Sequence, residues 1–472
     1  MIARKSGPVT AVVVGVGSRG REAYGAYAER NQDRLKFVAV ADVNEDKRKL
    51  FKNIHGISDD MAFETWEDLL SEKNGKLADA AFICTPDRLH YEPAMRALEL
   101  GYDLVLEKPI SPTIEECQAI AKLAEEKGRL VQVCHVLRFT GFWKKVKEIV
   151  DSGRIGKILH YDHSENVSYW HFGHSFVRGF YKNKDTSTPI VLAKTCHDLD
   201  LMYWILGEKA VKVQSTGELM FYKPENAPAG APERCTDGCP AEQECPWYAP
   251  RLYMDAEPLI RIGKESKNPF LRSMVDVALN HKGVIKFFSL FYKRLKTINN
   301  WDRFPATALT TDLTPEGKMK ALKEGPFGLC IYKTGNDVPD HQISTFNFPS
   351  GATGTLTMHG LSDFEGRELR IFGSKGTLRG FFRSLWATIE VHEFRSGKTE
   401  MVFKENANPE QGHGGGDAGL MDAFTGTMLG EIGKESLTDI QGALESHYMG
   451  FAAEESRLSR KVLDISGFRE KK

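Results

Sequence analysis

The sequence predicts an α/β fold in which an N-terminal doubly wound parallel sheet is followed by an α+β half with a large antiparallel sheet. Three observations predict it. Apolar, β-branched runs alternate with helix-length amphipathic stretches over residues 1–140, the pattern of strand–helix–strand units. Gly15-Val16-Gly17-Ser18-Arg19-Gly20 stands between the first such run and the first such stretch. From 328 to 403 the texture changes to short alternating runs separated by turns, as in antiparallel strands.

The first strand is Val9 to Val14, nearly continuous in apolar residues, as suits a strand covered on both faces. It ends in G-x-G-x-x-G, and Arg21 to Arg30 continues as a helix. The glycines serve a sharp turn, close approach of a pyrophosphate and tight helix–strand packing. This predicts a Rossmann domain with a dinucleotide at Gly15, Gly17, Ser18, Arg19 and Gly20. The second strand, Lys36 to Ala41, ends at Asp42, about 20 residues beyond the motif, where an acid accepts from the ribose hydroxyls. Asp42 favours NAD over NADP, since it repels a 2′-phosphate, although Lys47 and Arg48 stand close by. Asp42 also reads as a helix N-cap.

Further strands follow at Asp79–Cys84, Tyr102–Leu106 and Leu130–Val133, ending in Thr85-Pro86-Asp87, Glu107-Lys108-Pro109 and His135. Ligands of open α/β sheets sit at such carboxyl ends. Helices are expected from Thr65, from Leu89 to Leu100 and from Thr113 to Lys127, with Thr65 and Thr113 as caps.

The second half, 141–472, contains a helix Phe142–Ser152, a strand Lys157–Val167, and an aromatic loop Ser168–Gly179 with Trp170, His171, His174 and Arg178. A largely helical stretch to Gly207 carries Lys194, His197 and Asp200. At helical spacing these three share one face, an arrangement costly to bury for structure alone. Strands are expected at Val211–Tyr222, at 328–338 and on through the antiparallel runs, with helices at Met421–Gly430 and Gln441–Val462. Residues 223–325 form an insertion holding Cys235, Cys239 and Cys245. With Cys330 these thiols read as a structural zinc site, as free thiols or as a disulfide. No other metal is expected.

Composition narrows the function. The 472 residues include 63 basic and 64 acidic side chains, a net charge of −1, so neither nucleic acid nor an anionic membrane is expected as a partner. No apolar run reaches the ~18–20 residues of a spanning helix. The basic, aromatic stretch from Lys282 to Trp301 reads as a helix covering the insertion or, less readily, as a membrane-surface segment. The chain enters its first strand with no room for a leader, and its thiols look reduced, so a cytoplasmic protein is expected.

Four motifs together, in order and spacing, resemble the glucose–fructose oxidoreductase and inositol dehydrogenase family, Gfo/Idh/MocA. They are Gly15-x-Gly17-x-x-Gly20, Cys84-Thr85-Pro86-x-x-x-His90, Glu107-Lys108-Pro109, and a helix bearing His197-x-x-Asp200. The resemblance covers nearly all of the chain outside 223–325. It implies a Rossmann domain paired with an open antiparallel sheet, and NAD(P)-dependent oxidation or reduction of a sugar or polyol. It also implies a homodimer or homotetramer built on the open sheet. Thr85, Pro86, His90, Glu107 and Lys108 join the implied cofactor contacts. Lys108 is implied as the catalytic lysine, holding a developing alkoxide. His197 is the expected general base, with Asp200 orienting it.

Trp170, His171, His174, Arg178, Lys194, His413 and Asp417 are expected to meet the carbohydrate substrate. Asn336-Asp337 and Asp340-His341-Gln342 are candidates to line the pocket from the sheet side. The chain departs from the family at Ala193, where typical members carry an Asp four residues before the His, and in its insertion. Gly412-His413-Gly414-Gly415-Gly416-Asp417 also resembles a segment of NAD-dependent glycoside hydrolases, which implies a redox-neutral reaction as an alternative. A non-catalytic sensor of NAD or sugar is the second alternative.

Overall fold

A computed structural model describes residues 7–266, 268–281, 283, 300–406 and 412–470. Six parallel strands form the first sheet: β1 (Val9–Val14), β2 (Leu35–Ala41), β3 (Ala62–Phe63), β4 (Ala80–Ile83), β5 (Asp103–Leu106) and β6 (Val131–Val133). Their order is β3-β2-β1-β4-β5-β6, so the chain reverses direction beside β1, the crevice where such sheets bind ligands. Helices cover both faces. Thr113 caps Ile114–Lys127 by accepting from the Glu116 N–H, and Gly128 ends that helix at φ 61°, as the chemistry of caps requires.

Nine strands form the second sheet: β7 (Ile158–Ser168), β8 (Lys212–Glu218), β9 (His341–Asn347), β10 (Thr353–Ser362), β11 (Gly366–Gly373), β12 (Gly376–Arg383), β13 (Trp386–Glu393), β14 (Thr399–Asn406) and β15 (Leu463–Asp464). The order is β14-β13-β12-β11-β7-β10-β9-β8-β15. All neighbours are antiparallel except β7 and β10, which run parallel. Burial alternates along β8 and β9, so one face is packed and the other faces solvent. The helices Cys196–Leu206 and Ile440–Ser459 lie on the packed face.

One apolar cluster runs from Val12, Leu104 and Val133 of the first sheet through Leu199 and Met449 to Tyr161, Leu356 and Ile371 of the second. Burying each such large side chain contributes about 1.5–3 kcal/mol. On the other side of the first sheet, Leu420, Met421 and Phe424 of the helix Gly416–Met428 pack with Val13, Tyr24 and Phe37.

Two expectations change. The segment expected as a strand at 328–338 is turns, apart from a bridge between Leu329 and Arg234. Cys330, Ile331, Tyr332 and Val338 turn together into one apolar cluster instead of alternating across a sheet. The aromatic loop is helical, Tyr169–Phe172 followed by Gly173–Arg178, because Phe172, Phe176 and Val177 pack inward as a group. Within the insertion stand short helices, among them Ala249–Tyr253, Pro269–Asn280 and Pro315–Glu324. The basic stretch at 284–299 lies outside the described residues.

Candidate functional site

The glycine loop has the shape a pyrophosphate needs. Gly15 has φ +88°, and a Cβ there would stand 2.8 Å from the Cys84 carbonyl oxygen. A Cβ on Gly20 would fall 2.2 Å from the Gly15 oxygen, whereas one on Gly17 would meet nothing within 4 Å. The turn is thus tight where it packs and open where a phosphate would pass. No side chain caps the first turn of Ser18–Gly25, which leaves amide donors for an anion. The Asp42 carboxylate accepts from the Val16 and Asn44 N–H groups, both at 2.8 Å. It therefore stands at the loop and does not cap the next helix, whose N-cap is Asn44, accepting from the Lys47 N–H; Arg48 donates to the Asp42 carbonyl oxygen.

Arg19 turns away from the loop as a tie. It donates from Nε to Glu107 at 2.6 Å and from Nη2 to Tyr24 and Asp417, both at 2.9 Å. Glu107 is buried, which works to raise its pKa, but the Arg19 charge and the Tyr24 and Arg19 hydrogen bonds outweigh this and hold it low. Next to it Lys108, joined to Pro109 by a cis peptide bond, donates to the Ala193 carbonyl oxygen at 3.1 Å. That carbonyl is available because the helix Ile190–Ala193 stops there and another begins at Cys196. Thr85 donates to the Leu89 carbonyl oxygen at 2.9 Å, and Pro86 is exposed beside it.

His90 corrects an expected cofactor contact. It is buried, with ring nitrogens 2.8 and 2.9 Å from the carbonyl oxygens of Pro109 and Thr85. It ties two strand-end loops together and has no nitrogen left for a ligand.

Beyond these strand ends lies a cavity of about 480 Å³ whose walls include Lys108, His171, Lys194, His197 and His413. His197 is buried and its Nδ1 has no hydrogen-bond partner. Burial, then the Lys108 charge, push its pKa well below the usual histidine value, so the ring rests neutral. His135 packs edge-on against it at 5.6 Å, and the His413 ring lies 6.3 Å away. His413 (φ 49°), Gly414 (φ 62°) and Gly415 (φ 84°) form a left-handed run that delivers the imidazole to the cavity. Asp417, which lies outside the lining, holds the His413 Nδ1 at 3.1 Å.

The opposite wall is a network of buried ion pairs. Lys194 lies 3.0 Å from Glu165 and 3.2 Å from Glu365. Glu365 also accepts from the Ser168 N–H and from His171, each at 2.9 Å. Burial opposes ionisation of Glu365, but His171 and Lys194 hold its pKa far below the carboxylate range. Arg367 pairs with Asp198 at 2.6 Å and Glu165 at 3.0 Å. Glu365 and Arg367, together with Phe382, Arg383, Trp386 and Glu405, line the cavity and were not expected from the sequence. They lie on or beside β11, β12, β13 and β14, and no local pattern marks which strand ends reach the helix at 197.

Other expected residues fall elsewhere. Asp200 does not line the cavity; Arg138 grips it through Nε at 2.6 Å and Nη2 at 2.5 Å. It therefore does not orient His197 directly. Of the aromatic stretch only His171 among the expected residues reaches the cavity, joined by Ser175 and Phe176. Trp170 stacks on His171 at 5.5 Å, away from the opening. His174 is bonded to the Tyr253 hydroxyl at 2.7 Å, and burial lowers its pKa to about 3. Arg178 donates to the carbonyl oxygens of Leu329 and Trp247. A helical period brings only part of its turn to any one surface. Asp340 accepts from the Met220 and Phe221 N–H groups, outside the cavity.

Residues 9–135 match the family described as the Gfo/Idh/MocA oxidoreductase family with an NAD-binding Rossmann fold, and residues 143–251 match the Gfo/Idh/MocA C-terminal domain. Bacillus subtilis YteT, named as an oxidoreductase, is 23% identical over 74% of this chain and 72% of its own. The 2,7-anhydro-N-acetylneuraminate hydratase of Mediterraneibacter gnavus is 26% identical, and inositol 2-dehydrogenase of Salmonella typhimurium is 27% identical. Each of these two aligns with 43% of this chain, which spans 51% and 56% of their lengths. Among solved structures, levoglucosan dehydrogenase in complex with NADH and levoglucosan superposes with a TM-score of 0.63 at 13% identity, over 97% of this chain and 99% of that one. An aldose–aldose oxidoreductase from Caulobacter crescentus gives 0.60 at 13% identity, over 97% and 99%.

Proposed function

Since the chain belongs to the Gfo/Idh/MocA family of NAD-binding oxidoreductases, we propose that it moves hydride between NAD and a hydroxyl-bearing carbon of a sugar, polyol or glycoside. One observation carries this reading. Lys108, from the carboxyl end of β5, and His197, from a helix of the second half, face the same cavity, one bringing positive charge and the other a neutral base.

When bound, the nicotinamide supplies the hydride acceptor. His197 takes the hydroxyl proton as the carbon is oxidised. Lys108, braced by the Ala193 carbonyl oxygen, stabilises the developing oxyanion. Glu365, His171 and Lys194 give the remaining hydroxyls both acceptors and donors. Trp386 and Phe382, also in the lining, offer apolar faces to a ring. Asp200 acts as a positioning residue through His135, whose Nε2 lies 3.9 Å from its carboxylate and whose ring packs on His197. A soluble cytoplasmic homodimer or homotetramer, associated through the open face of the second sheet, belongs to the same reading. Among the described residues no helix is long and apolar enough to cross a membrane.

A redox-neutral hydrolysis or hydration is the second reading, favoured by His413. Its imidazole is held at the cavity by Asp417, on a left-handed run that brings it within 6.3 Å of the His197 ring. The test follows nicotinamide absorbance and product together across free sugars, polyols and aryl glycosides. Oxidised product matched by NADH supports the dehydrogenase. Released aglycone or hydrated product without NADH supports the second reading. Tight NAD binding with neither product would overturn both in favour of a sensor.

A further inference from the structure

The cavity leaves one cluster of reactive side chains unused. Cys235, Cys239 and Cys245 share one short loop, and pairing of distant chain brings Cys330 to it. Arg234 and Leu329 form an antiparallel bridge. Beside it the Cys235 N–H donates to the Gly328 oxygen at 2.9 Å and the Cys330 N–H to the Glu233 oxygen at 2.8 Å. Cys235 and Cys330 are buried, Cys239 and Cys245 partly so, and all four are free thiols.

Two of the four occupy the same kind of turn. Burial pushes the Cys245 and Cys330 thiols up, while the backbone N–H groups of Trp247 and Tyr332, each two residues beyond the cysteine, work the other way and favour its thiolate. The turn closes behind the sulfur, with Tyr248 N–H donating to the Cys245 oxygen at 3.2 Å and Lys333 N–H to the Cys330 oxygen at 2.9 Å. Arg178 Nη2 adds a donor 3.4 Å from the Cys235 sulfur. Amide and guanidinium donors aimed at sulfur favour thiolate, because a thiol is a weak acceptor. Packing alone asks for no such donors, since a buried thiol behaves as a small hydrophobe.

We propose that Cys235, Cys239, Cys245 and Cys330 bind one zinc ion as four thiolates, in a structural site that fastens the insertion to the chain leading into β9. Four thiols release four protons to solvent, and the resulting centre carries a charge of −2 that the N–H groups and Arg178 offset. A four-sulfur tetrahedral set leaves no open position, so the site is closed to catalysis. It bears on the cavity indirectly. Trp247, next to Cys245, donates from Nε1 to the Tyr169 oxygen at 3.1 Å, at the start of the helical stretch that carries His171.

Among the described residues, only His135, Cys196 and His197 have three ligand atoms all within 4.8 Å of one another. The four sulfurs must therefore draw together as the ion enters. The histidine trio is the poorer cation site, because the positive charges of Lys108 and Arg138 bear on its imidazoles.

The test is Co²⁺ titration of the full-length protein after chelation. One equivalent should produce thiolate-to-cobalt charge transfer with the visible bands of a tetrahedral centre, displaced by Zn²⁺. The bands should vanish in Cys245→Ser/Cys330→Ser and persist in Cys196→Ser. The reverse pattern would place the ion on the histidine trio and overturn the proposal. Absence of any band, or a mass showing disulfides among the four, would overturn it as well. Should the double variant fail to fold, alkylation mapped by mass spectrometry decides on the wild-type chain. Chelation should raise labelling at these four cysteines alone, and labelling unchanged by chelation would refute the site.

Discussion

The two halves of the molecule meet at one cavity but hold their functional groups by different means. In the first half the backbone does the positioning. Asp42, Thr85, Lys108 and His135 stand at or just past the carboxyl ends of parallel strands, and the glycine turn is shaped by contacts a Cβ would break. In the second half side chains position one another. Lys194, Glu165, Glu365, Arg367 and Asp198 form a chain of buried ion pairs drawn from three separate segments. A backbone device is robust and local. A buried charge network is strongly interdependent, because removing one member strands the rest.

The largest expected effect breaks that network. Asp198→Asn leaves Arg367 short of its nearest partner and should destabilise the fold by about 3–5 kcal/mol, read from urea midpoints at an unchanged m-value. A loss under about 1 kcal/mol, the size of an exposed pair, would erase the contrast between the halves. Lys108→Met comes next. Turnover should fall about 10²–10³-fold while the Kd for NAD moves by no more than a few-fold, and unaffected turnover would remove Lys108 from the mechanism.

On the backbone side, Gly20→Ala forces a Cβ against the Gly15 oxygen. Stability should drop by about 1–3 kcal/mol, with NAD binding weakened in parallel. Gly17→Ala is the sharper comparison, since its Cβ meets only open space. Thermal stability should hold while NAD affinity falls about tenfold, or about 1.4 kcal/mol. Calorimetric titration that finds affinity unchanged would mean the pyrophosphate passes elsewhere.

Acid tests the same contrast without a substitution, and there small costs at single rings add up. Burial lowers His174 and His447 to about 3 and takes His135 and His197 well below their ordinary value of 6.5. The unfolded chain therefore takes up protons below pH 6.5 that the folded chain refuses, and stability falls as pH drops from there toward 3. Each neutral imidazole costs about 1.4 kcal/mol per pH unit in that window. Midpoints flat from pH 6.5 to 5 would show that these rings are already charged in the fold. Because three of the four lie in the second half, hydrogen exchange should show that half loosening first.

How much was legible in the sequence follows the same division. Strand ends and glycine turns are short-range, so spacing placed Gly15 to Gly20 and Asp42 at the first turn, whereas Glu107, Lys108 and His197 were singled out through the family resemblance. Helical spacing misled for Asp200, because i and i+3 share a face without sharing a partner, and Arg138 captured the carboxylate. Reading 168–179 as a loop misled for Trp170, His174 and Arg178, because the stretch is helical and, of the expected residues, presents only His171 to the cavity. Glu365, Arg367, Arg383, Trp386 and Glu405 were illegible, since nothing local says which ends of an antiparallel sheet will face a helix some 170 residues earlier.

By itself, then, the sequence determined the doubly wound sheet, the antiparallel second half and the glycine turn, while the lysine and histidine that line the cavity were pointed to by the family resemblance. Those depend on periodicity, glycine conformation and chain reversal, which act over a few residues. Only the tertiary structure decided the parallel pairing of β7 with β10, the burial of His90 between two carbonyls, and the ion-pair wall opposite Lys108. Those depend on which distant groups can shed water together, and a buried charge is tolerable only where its partner from another segment has already arrived.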